Sequence, residues 1–366
     1  MSRPPARGVP QPTPEVARLK PYSVPAAGRR GFLRLDFNEN VLGPSPRVLE
    51  RLGSLGTEDI ALYPDETEAR VAVAERFGIG PDLDLILTSG VDEGIRLVCD
   101  CFVRPGERVV LLEPGYAMYR FYATLAGAVV AEAVYDEDLL FPLAALRLAL
   151  QQPARLLILG DPHNPTGTPV PAGLVEELAA GHPDMVILVD EAYAEFGGQT
   201  AIDLLPRYPN VVVARTFSKA YGLAGLRAGV LLGDRDTLSF LARMRSPYAV
   251  NTLALVALTA ALQDADYVTR YVEAIRQGRD DLAAGLERLG IKVHPSAANF
   301  LIARFGAIAP AVLLGLRRRG ILVRDRSDHP ALRGTLRIGI GMRDQMSVCL
   351  QAIEEALAEA RPGSGR

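Results

Sequence analysis

Between residues 36 and 247 short apolar runs alternate with longer stretches whose apolar positions recur at helical spacing. The runs at 85–87, 109–112, 156–159, 186–189, 211–213 and 229–232 are each bounded by Gly, Pro, Asp or Asn, and they predict six strands. Helices are predicted to begin near Val91, Tyr116, Ala172 and Asp236, with 66–77 forming a helix ahead of the first strand. Alternation of this kind predicts an α/β fold, a large domain with a mainly parallel sheet flanked by helices. Residues 53–59 carry turn residues and read as a connection.

After Pro247 the pattern changes. Two long helical stretches, 252–262 and 266–289, precede short strands at 291–294, 299–303, 321–323 and 336–340 and a final helix at 344–359, which predicts a smaller α+β domain. Seven prolines before residue 26 argue against regular helix and sheet and predict an extended arm whose start is disordered. The expected organisation is an arm at 1–35, a large domain at 36–247 and a small domain at 248–366. No internal repeat is visible.

Composition narrows the class. Apolar residues make up 49% and charged residues 23% of the 366 positions, as in ordinary globular proteins. Net charge is −3 with the two signs mixed along the chain, which leaves no footprint for nucleic acid or an anionic membrane. No run approaches the length of a membrane span and the N-terminus lacks an apolar leader, so a cytoplasmic protein is expected. Cys99, Cys101 and Cys349 are too few for a disulfide framework and read as buried thiols. His163, His182, His294 and His329 are not paired at metal-ligand spacing, so no metal is expected.

Candidate chemistry follows the apolar runs, because open α/β sheets bind ligands beyond the carboxyl ends of their strands. After 85–87 come Thr88-Ser89-Gly90-Val91-Asp92-Glu93-Gly94, a strand, a glycine turn and a helix start, which suits an anion or is a plain capped turn. Asp190 ends an apolar run, where a carboxylate needs a cationic partner, either a protonated ring nitrogen or an arginine. Tyr193 faces the same cleft or packs. Asn164, in Asn-Pro-Thr-Gly, has a fixed direction or merely serves the turn. Of 40 basic residues only Lys20, Lys219 and Lys292 are lysine. Lys219 follows an apolar strand, whereas Lys20 and Lys292 read as solvated. An amine able to form an imine is something arginine does not offer. Arg227 lies close enough in sequence to share an anion site with the glycine turn.

Taken together and in order, these residues resemble the fold type I pyridoxal-phosphate aminotransferases, in the branch that contains histidinol-phosphate aminotransferase. The resemblance rests on Asp36-Phe-Asn-Glu-Asn40 with Gly43-Pro-Ser-Pro46, Tyr63-Pro-Asp65, Asp92-Glu-Gly94, Pro114-Gly-Tyr116, Asn164-Pro-Thr-Gly167, Asp190-Glu-Ala-Tyr193, Ser218-Lys219 with Leu223-Ala-Gly-Leu-Arg227, Val323-Arg-Asp-Arg326 and Leu336-Arg337-Ile338.

The resemblance implies pyridoxal 5'-phosphate as cofactor, with Lys219 as its Schiff-base lysine and as the proton-moving base. It implies that Asp190 keeps the pyridine nitrogen protonated and makes the ring an electron sink. Asn164 and Tyr193 would bond the phenolic oxygen, and Tyr116 would stack on the ring. The backbone at Val91, Asp92 and Glu93, with Thr216, Ser218 and Arg227, would hold the phosphate. Tyr22, Asn40, Arg324 and Arg337 would meet the substrate, joined by a Tyr63 from the partner subunit of a homodimer.

The implied reaction passes an amino group to a 2-oxo acid, with histidinol phosphate and 2-oxoglutarate as the leading pair. An aromatic or other amino-acid aminotransferase, a natural-product enzyme and a threonine-phosphate decarboxylase stay open. Departures from the family pattern at Val41, Asp161, His163, Gly339 and Met342 are expected near the substrate.

Overall fold

A seven-stranded sheet runs in the order Leu83–Thr88, Gly229–Asp234, Val211–Thr216, Val186–Asp190, Leu156–Gly160, Arg108–Glu113, Val129–Val134. The computed structural model that carries it describes residue 8, residues 10–21 and residues 28–360. The arm's expected disordered start falls on residues 1–7 and 9, outside the described residues.

The central strands are buried along their whole length. That is why they read as continuous apolar runs rather than as alternating ones. Odd and even positions separate onto the two faces: Leu157, Leu159, Ile187 and Val189 join one apolar cluster, and Leu156, Ile158, Val186 and Leu188 join the other. Gly229–Asp234 runs antiparallel to both neighbours, and the remaining pairs are parallel.

The expected six strands omit Val129–Val134. It is an edge strand with a mostly open face and the sequence VVAEAV, so it lacks the apolar density of the interior strands. Helices at Pro46–Gly53, Leu143–Ala149 and Ala309–Arg318 also went unpredicted. The stretch 53–59, expected as a connection, holds the end of the first of these and the start of a one-turn helix, Thr57–Ala61, where Gly56 N–H donates to Asp59 Oδ2 at 2.8 Å. The arm contains the helix Pro14–Arg18, because proline is tolerated where a helix begins. Cys101 is half-buried, unlike Cys99 and Cys349.

A four-stranded antiparallel sheet follows, ordered Arg324–Asp325, Thr335–Gly339, Phe300–Arg304, Lys292–His294. The helices Ala265–Arg288 and Ala309–Arg318 pack beside it, and Arg343–Ala360 packs against both of them. The single strand expected at 321–323 divides. Ile321–Leu322 pairs in parallel with Leu33–Arg34, and the next residues turn into the four-stranded sheet.

This short ladder threads residues 33–38 from the smaller sheet to the ends of the large one. Leu35 N–H donates to Leu322 O and Gly339 N–H to Leu35 O, both at 2.8 Å. Gly339 lets that backbone cross: a Cβ there would lie 3.1 Å from Leu35 O. Among the described residues no helix is long and apolar enough to cross a membrane.

Candidate active site

The carboxyl ends of the parallel strands open into a cavity of about 840 Å³. Twelve of the residues singled out from sequence line it: Val91, Asp92, Tyr116, Asn164, Asp190, Tyr193, Thr216, Ser218, Lys219, Arg227, Arg324 and Arg337. Three others, Asn40, Tyr63 and Glu93, lie outside its lining, and Tyr22 lies outside the described residues.

One end is built from donors. The helix Val91–Phe102 begins after Gly90 with no side-chain cap, and Val91 and Asp92 of its first turn line the cavity, so the positive end of the helix dipole lies there. Glu93 turns its carboxylate back to Ser89 N–H at 2.5 Å. Gly90 has φ +77°, and a Cβ there would come within 2.6 Å of Arg227 Nη2, so glycine is what lets the guanidinium lie over the turn. A Cβ at Gly229 would meet the Gly90–Val91 backbone at 2.8 Å. Arg227 is held by Asp92 at 3.0 Å. Ser218 Oγ is buried without a hydrogen-bond partner among the described residues, and Ser218 N–H donates to Thr216 Oγ1 at 3.2 Å. Helix N–H groups, a guanidinium and a spare hydroxyl together suit a phosphate dianion.

The cavity also holds a buried acid and an amine, Asp190 and Lys219. Asp190 closes its strand only 4% exposed. Tyr119 O–H donates to Asp190 Oδ2 at 2.6 Å, and Ala192 N–H to Oδ1 at 3.1 Å. Burial pushes the carboxyl up to about 6, against the pull of those two donors. Lys219 Nζ donates to Phe37 O at 3.0 Å and sits 5.8 Å from the centre of the Tyr193 ring. The Tyr193 hydroxyl accepts from Asn38 Nδ2 at 3.0 Å and from Asn164 Nδ2 at 3.3 Å, which leaves its own proton free to donate. Asn164 Oδ1 accepts from Arg337 Nη1 at 2.8 Å, and Arg337 Nη2 donates to Asp36 O at 2.8 Å. Tyr116 donates to Asp92 Oδ1 at 2.8 Å, and burial above all holds its hydroxyl well above the usual range.

The rim carries Arg324, Arg326 and His329. Neither Arg324 nor Arg326 forms a salt bridge among the described residues; the Arg324 guanidinium lies 5.7 Å from the Phe37 ring centre.

Asn40, expected at the substrate, has its amide committed to backbone. Its Oδ1 accepts from Leu42 and Gly43 N–H at 2.9 Å, and its Nδ2 donates to Ala220 O at 3.1 Å. Tyr63 is 78% exposed and stacked on Tyr248, ring centres 4.2 Å apart. The departures Val41, Asp161, His163, Gly339 and Met342 do not line the cavity, contrary to expectation. Asp161 and His163 lie buried, the latter stacked on Tyr135.

Sequence reading missed Tyr119, Asn38 and Arg326. Tyr119 lies three residues after Tyr116, hence on the same helix face, which was a usable signal. The other two lie inside motifs already quoted.

Comparison with known proteins decides between ordinary turns and a cofactor site. The description of the family "Aminotransferase class I and II" matches residues 30–353. The chain belongs to that family. Two curated relatives, both named histidinol-phosphate aminotransferase, come from Roseiflexus castenholzii and Symbiobacterium thermophilum. Each is 39% identical; the first covers 93% of this chain and 97% of its own, the second 94% and 98%. The crystal structure of histidinol-phosphate aminotransferase from Sinorhizobium meliloti, in complex with pyridoxal-5'-phosphate, superposes with a TM-score of 0.85 at 27% identity, covering 97% of this chain and 100% of that one.

The chain is thus a fold type I aminotransferase that depends on pyridoxal 5'-phosphate and works between amino and 2-oxo acid substrates. The cavity fits that cofactor on its own chemistry. It offers an anion cradle with an unpartnered buried hydroxyl, a buried carboxylate and a primary amine.

Proposed function

We propose that this aminotransferase moves the amino group of histidinol phosphate to 2-oxoglutarate. The kinship with proteins named for histidinol phosphate carries the reading, and the two guanidiniums of Arg324 and Arg326 in the cavity lining, without salt bridges among the described residues, support it. Each half of such a reaction brings an anion, a phosphate monoester and then a dicarboxylate, and Arg324 and Arg337 are the groups we assign to them. The cofactor, when bound, supplies a ring that accepts the electron pair left by a departing α-proton.

The remaining work belongs to this chain's own residues. Lys219 Nζ would hold the cofactor and would move the proton at the substrate α-carbon. Asp190 would hold a proton on the cofactor ring nitrogen, and Asn164 with the Tyr193 hydroxyl would offer hydrogen bonds to its phenolic oxygen. Tyr116 would line the place of the cofactor ring. The first-turn N–H groups of Val91, Asp92 and Glu93, with Thr216, Ser218 and Arg227, bind the phosphate. Asn40 acts indirectly by clamping its loop to the residue after Lys219. Tyr22 joins the substrate end.

We further infer a cytoplasmic homodimer built from an arm at 1–35, a large domain at 36–247 and a small domain at 248–366. Ile60, Leu62 and Tyr63 form an exposed apolar group that suits a second copy, with Tyr63 entering the neighbouring site.

The test is a half-reaction. The loaded enzyme is mixed with histidinol phosphate, glutamate or phenylalanine, without acceptor, and the visible absorbance of the bound cofactor is followed. Histidinol phosphate and glutamate are expected to bleach it, with phenylalanine slower by at least an order of magnitude; indifference to histidinol phosphate removes it as the substrate. With threonine phosphate added to the panel, release of carbon dioxide from it rather than an oxo product would point instead to a decarboxylase.

A further inference from the structure

We propose that Tyr119 is a positioning residue of this reaction, whose hydroxyl keeps the Asp190 carboxylate ionised and aimed so that it can hold a proton on the cofactor ring nitrogen. The proposal rests on the family assignment alone and is independent of which amine is the substrate.

Tyr119 lies in the helix Ala117–Leu125 and is 4% exposed. Its O–H donates to Asp190 Oδ2 at 2.6 Å, a length typical of a hydroxyl bonded to a charged oxygen. The bland alternative is a core tyrosine that has found an acceptor for its own hydroxyl. Two features go beyond that. Gly160 faces Asp190 in the parallel ladder, and a Cβ at Gly160 would sit 3.3 Å from the Tyr119 hydroxyl, so the sheet is open where this bond passes. Tyr116, which lines the cavity, packs edge-on against Tyr119 with ring centres 5.5 Å apart, and this fixes the ring that carries the donor.

The charges around Asp190 explain why a donor matters. Asp92, on the helix Val91–Phe102, opposes its ionisation, and Lys219, after the strand Val211–Thr216, favours it. The Tyr116 and Tyr193 hydroxyls lie in the same field, and His163, beside Gly160, is kept neutral by burial. Burial alone would leave the carboxyl protonated and unable to offset a cation. A hydroxyl donating to one oxygen, with Ala192 N–H on the other, favours the charged form and fixes the plane of the group.

The test compares the apoprotein with Tyr119→Phe, which keeps the ring and removes the hydroxyl. Dissociation constants for pyridoxal phosphate are measured from pH 6 to pH 9, and the acid limb of kcat is measured on the loaded enzymes. Without the donor Asp190 takes up its proton at higher pH, so for a rise of about one pH unit from about 6 cofactor binding should weaken about five-fold at pH 6 and about two-fold at pH 7. The ratio to wild type should shrink toward pH 9, and the acid limb of kcat should move up by about one unit.

In an Asp190→Asn background the Tyr119→Phe change should leave the pH dependence of binding unaltered. A dissociation constant equal to wild type, or a ratio constant across the range, overturns the proposal and leaves Tyr119 as packing. Should Tyr119→Phe fail to fold, Gly160→Ala crowds the same hydroxyl and should shift the pH dependence in the same direction; no shift there overturns the proposal as well.

Discussion

Gly90 shows how much of this site rests on what a residue lacks. Its φ of +77° is strained for any L side chain, and its missing Cβ is where Arg227 passes. Gly90→Ala should therefore cost roughly 1–3 kcal/mol of fold stability through its backbone, because φ +77° with ψ 165° is a conformation essentially reserved for glycine. It should also weaken pyridoxal phosphate binding by about an order of magnitude, because Arg227 must withdraw from an anion it binds in charge-assisted fashion. Titration of the apoprotein with cofactor checks this, and unchanged affinity would separate Arg227 from the phosphate. At this scale the sequence was most readable where a polar residue ends an apolar run. Asn164, Asp190 and Lys219 stand out for that reason, and all three line the cavity. Tyr119 did not stand out, since it sits among helical apolar residues and its partner is 71 positions away. Asn40 misled for the opposite reason: its motif was visible, but not that its amide is committed to Leu42, Gly43 and Ala220.

Among the elements, the turn after Leu156–Gly160 contains a buried acid whose titration should be visible in stability. Burial, more than any neighbour, pushes Asp161 from its ordinary 3.8 up to about 7, while Val170 N–H, donating to Oδ1 at 3.1 Å, pulls it down. The folded protein thus holds this proton more tightly than the unfolded chain. Its contribution is fully present below the unfolded value and is lost as pH rises toward about 7. Asp161→Asn keeps an acceptor for Val170 and cannot ionise. Between pH 5 and pH 8 wild type should lose roughly 3 kcal/mol relative to the variant, from about two pH units at 1.36 kcal/mol each. Denaturant unfolding of both proteins at the two pH values checks this, and parallel pH profiles would remove Asp161 as the titrating group. The elements themselves were legible in proportion to burial. Interior strands and long amphipathic helices stand close to where periodicity put them, and Asp234 caps the helix Arg235–Ala242 by accepting from Thr237 N–H at 3.0 Å. The half-exposed edge strand Val129–Val134 did not announce itself, because alanine and glutamate on an open face give no strand signal. The ladder of Leu33–Arg34 with Ile321–Leu322 joins segments almost three hundred residues apart, and no local pattern can reveal such a pairing.

For the whole molecule the open question is how many chains complete one site. The cavity gathers all but Glu93 of the residues we assign to the cofactor from a single chain, yet Tyr63, expected at the substrate, stands 78% exposed against Tyr248 and outside that lining. Large apolar side chains displayed together in this way are surfaces awaiting a partner more often than idle ones. In a symmetric dimer the same patch serves both protomers, so each would lend a Tyr63 to the other. That arrangement makes a prediction which neither fold nor motif order contains. Lys219→Ala and Tyr63→Ala should each be strongly impaired as pure proteins at low substrate, the first in chemistry and the second in substrate affinity. When the two are mixed and their subunits allowed to exchange, half of the dimers become hybrids. In each hybrid one site regains both its own Lys219 and a donated Tyr63, so activity should recover toward about one quarter of wild type, one complete site in four under random pairing. Steady-state rates before and after exchange, at substrate concentrations near the wild-type KM, measure it. A mixture that stays at the average of its parents would place Tyr63 in service of its own chain and remove the shared site.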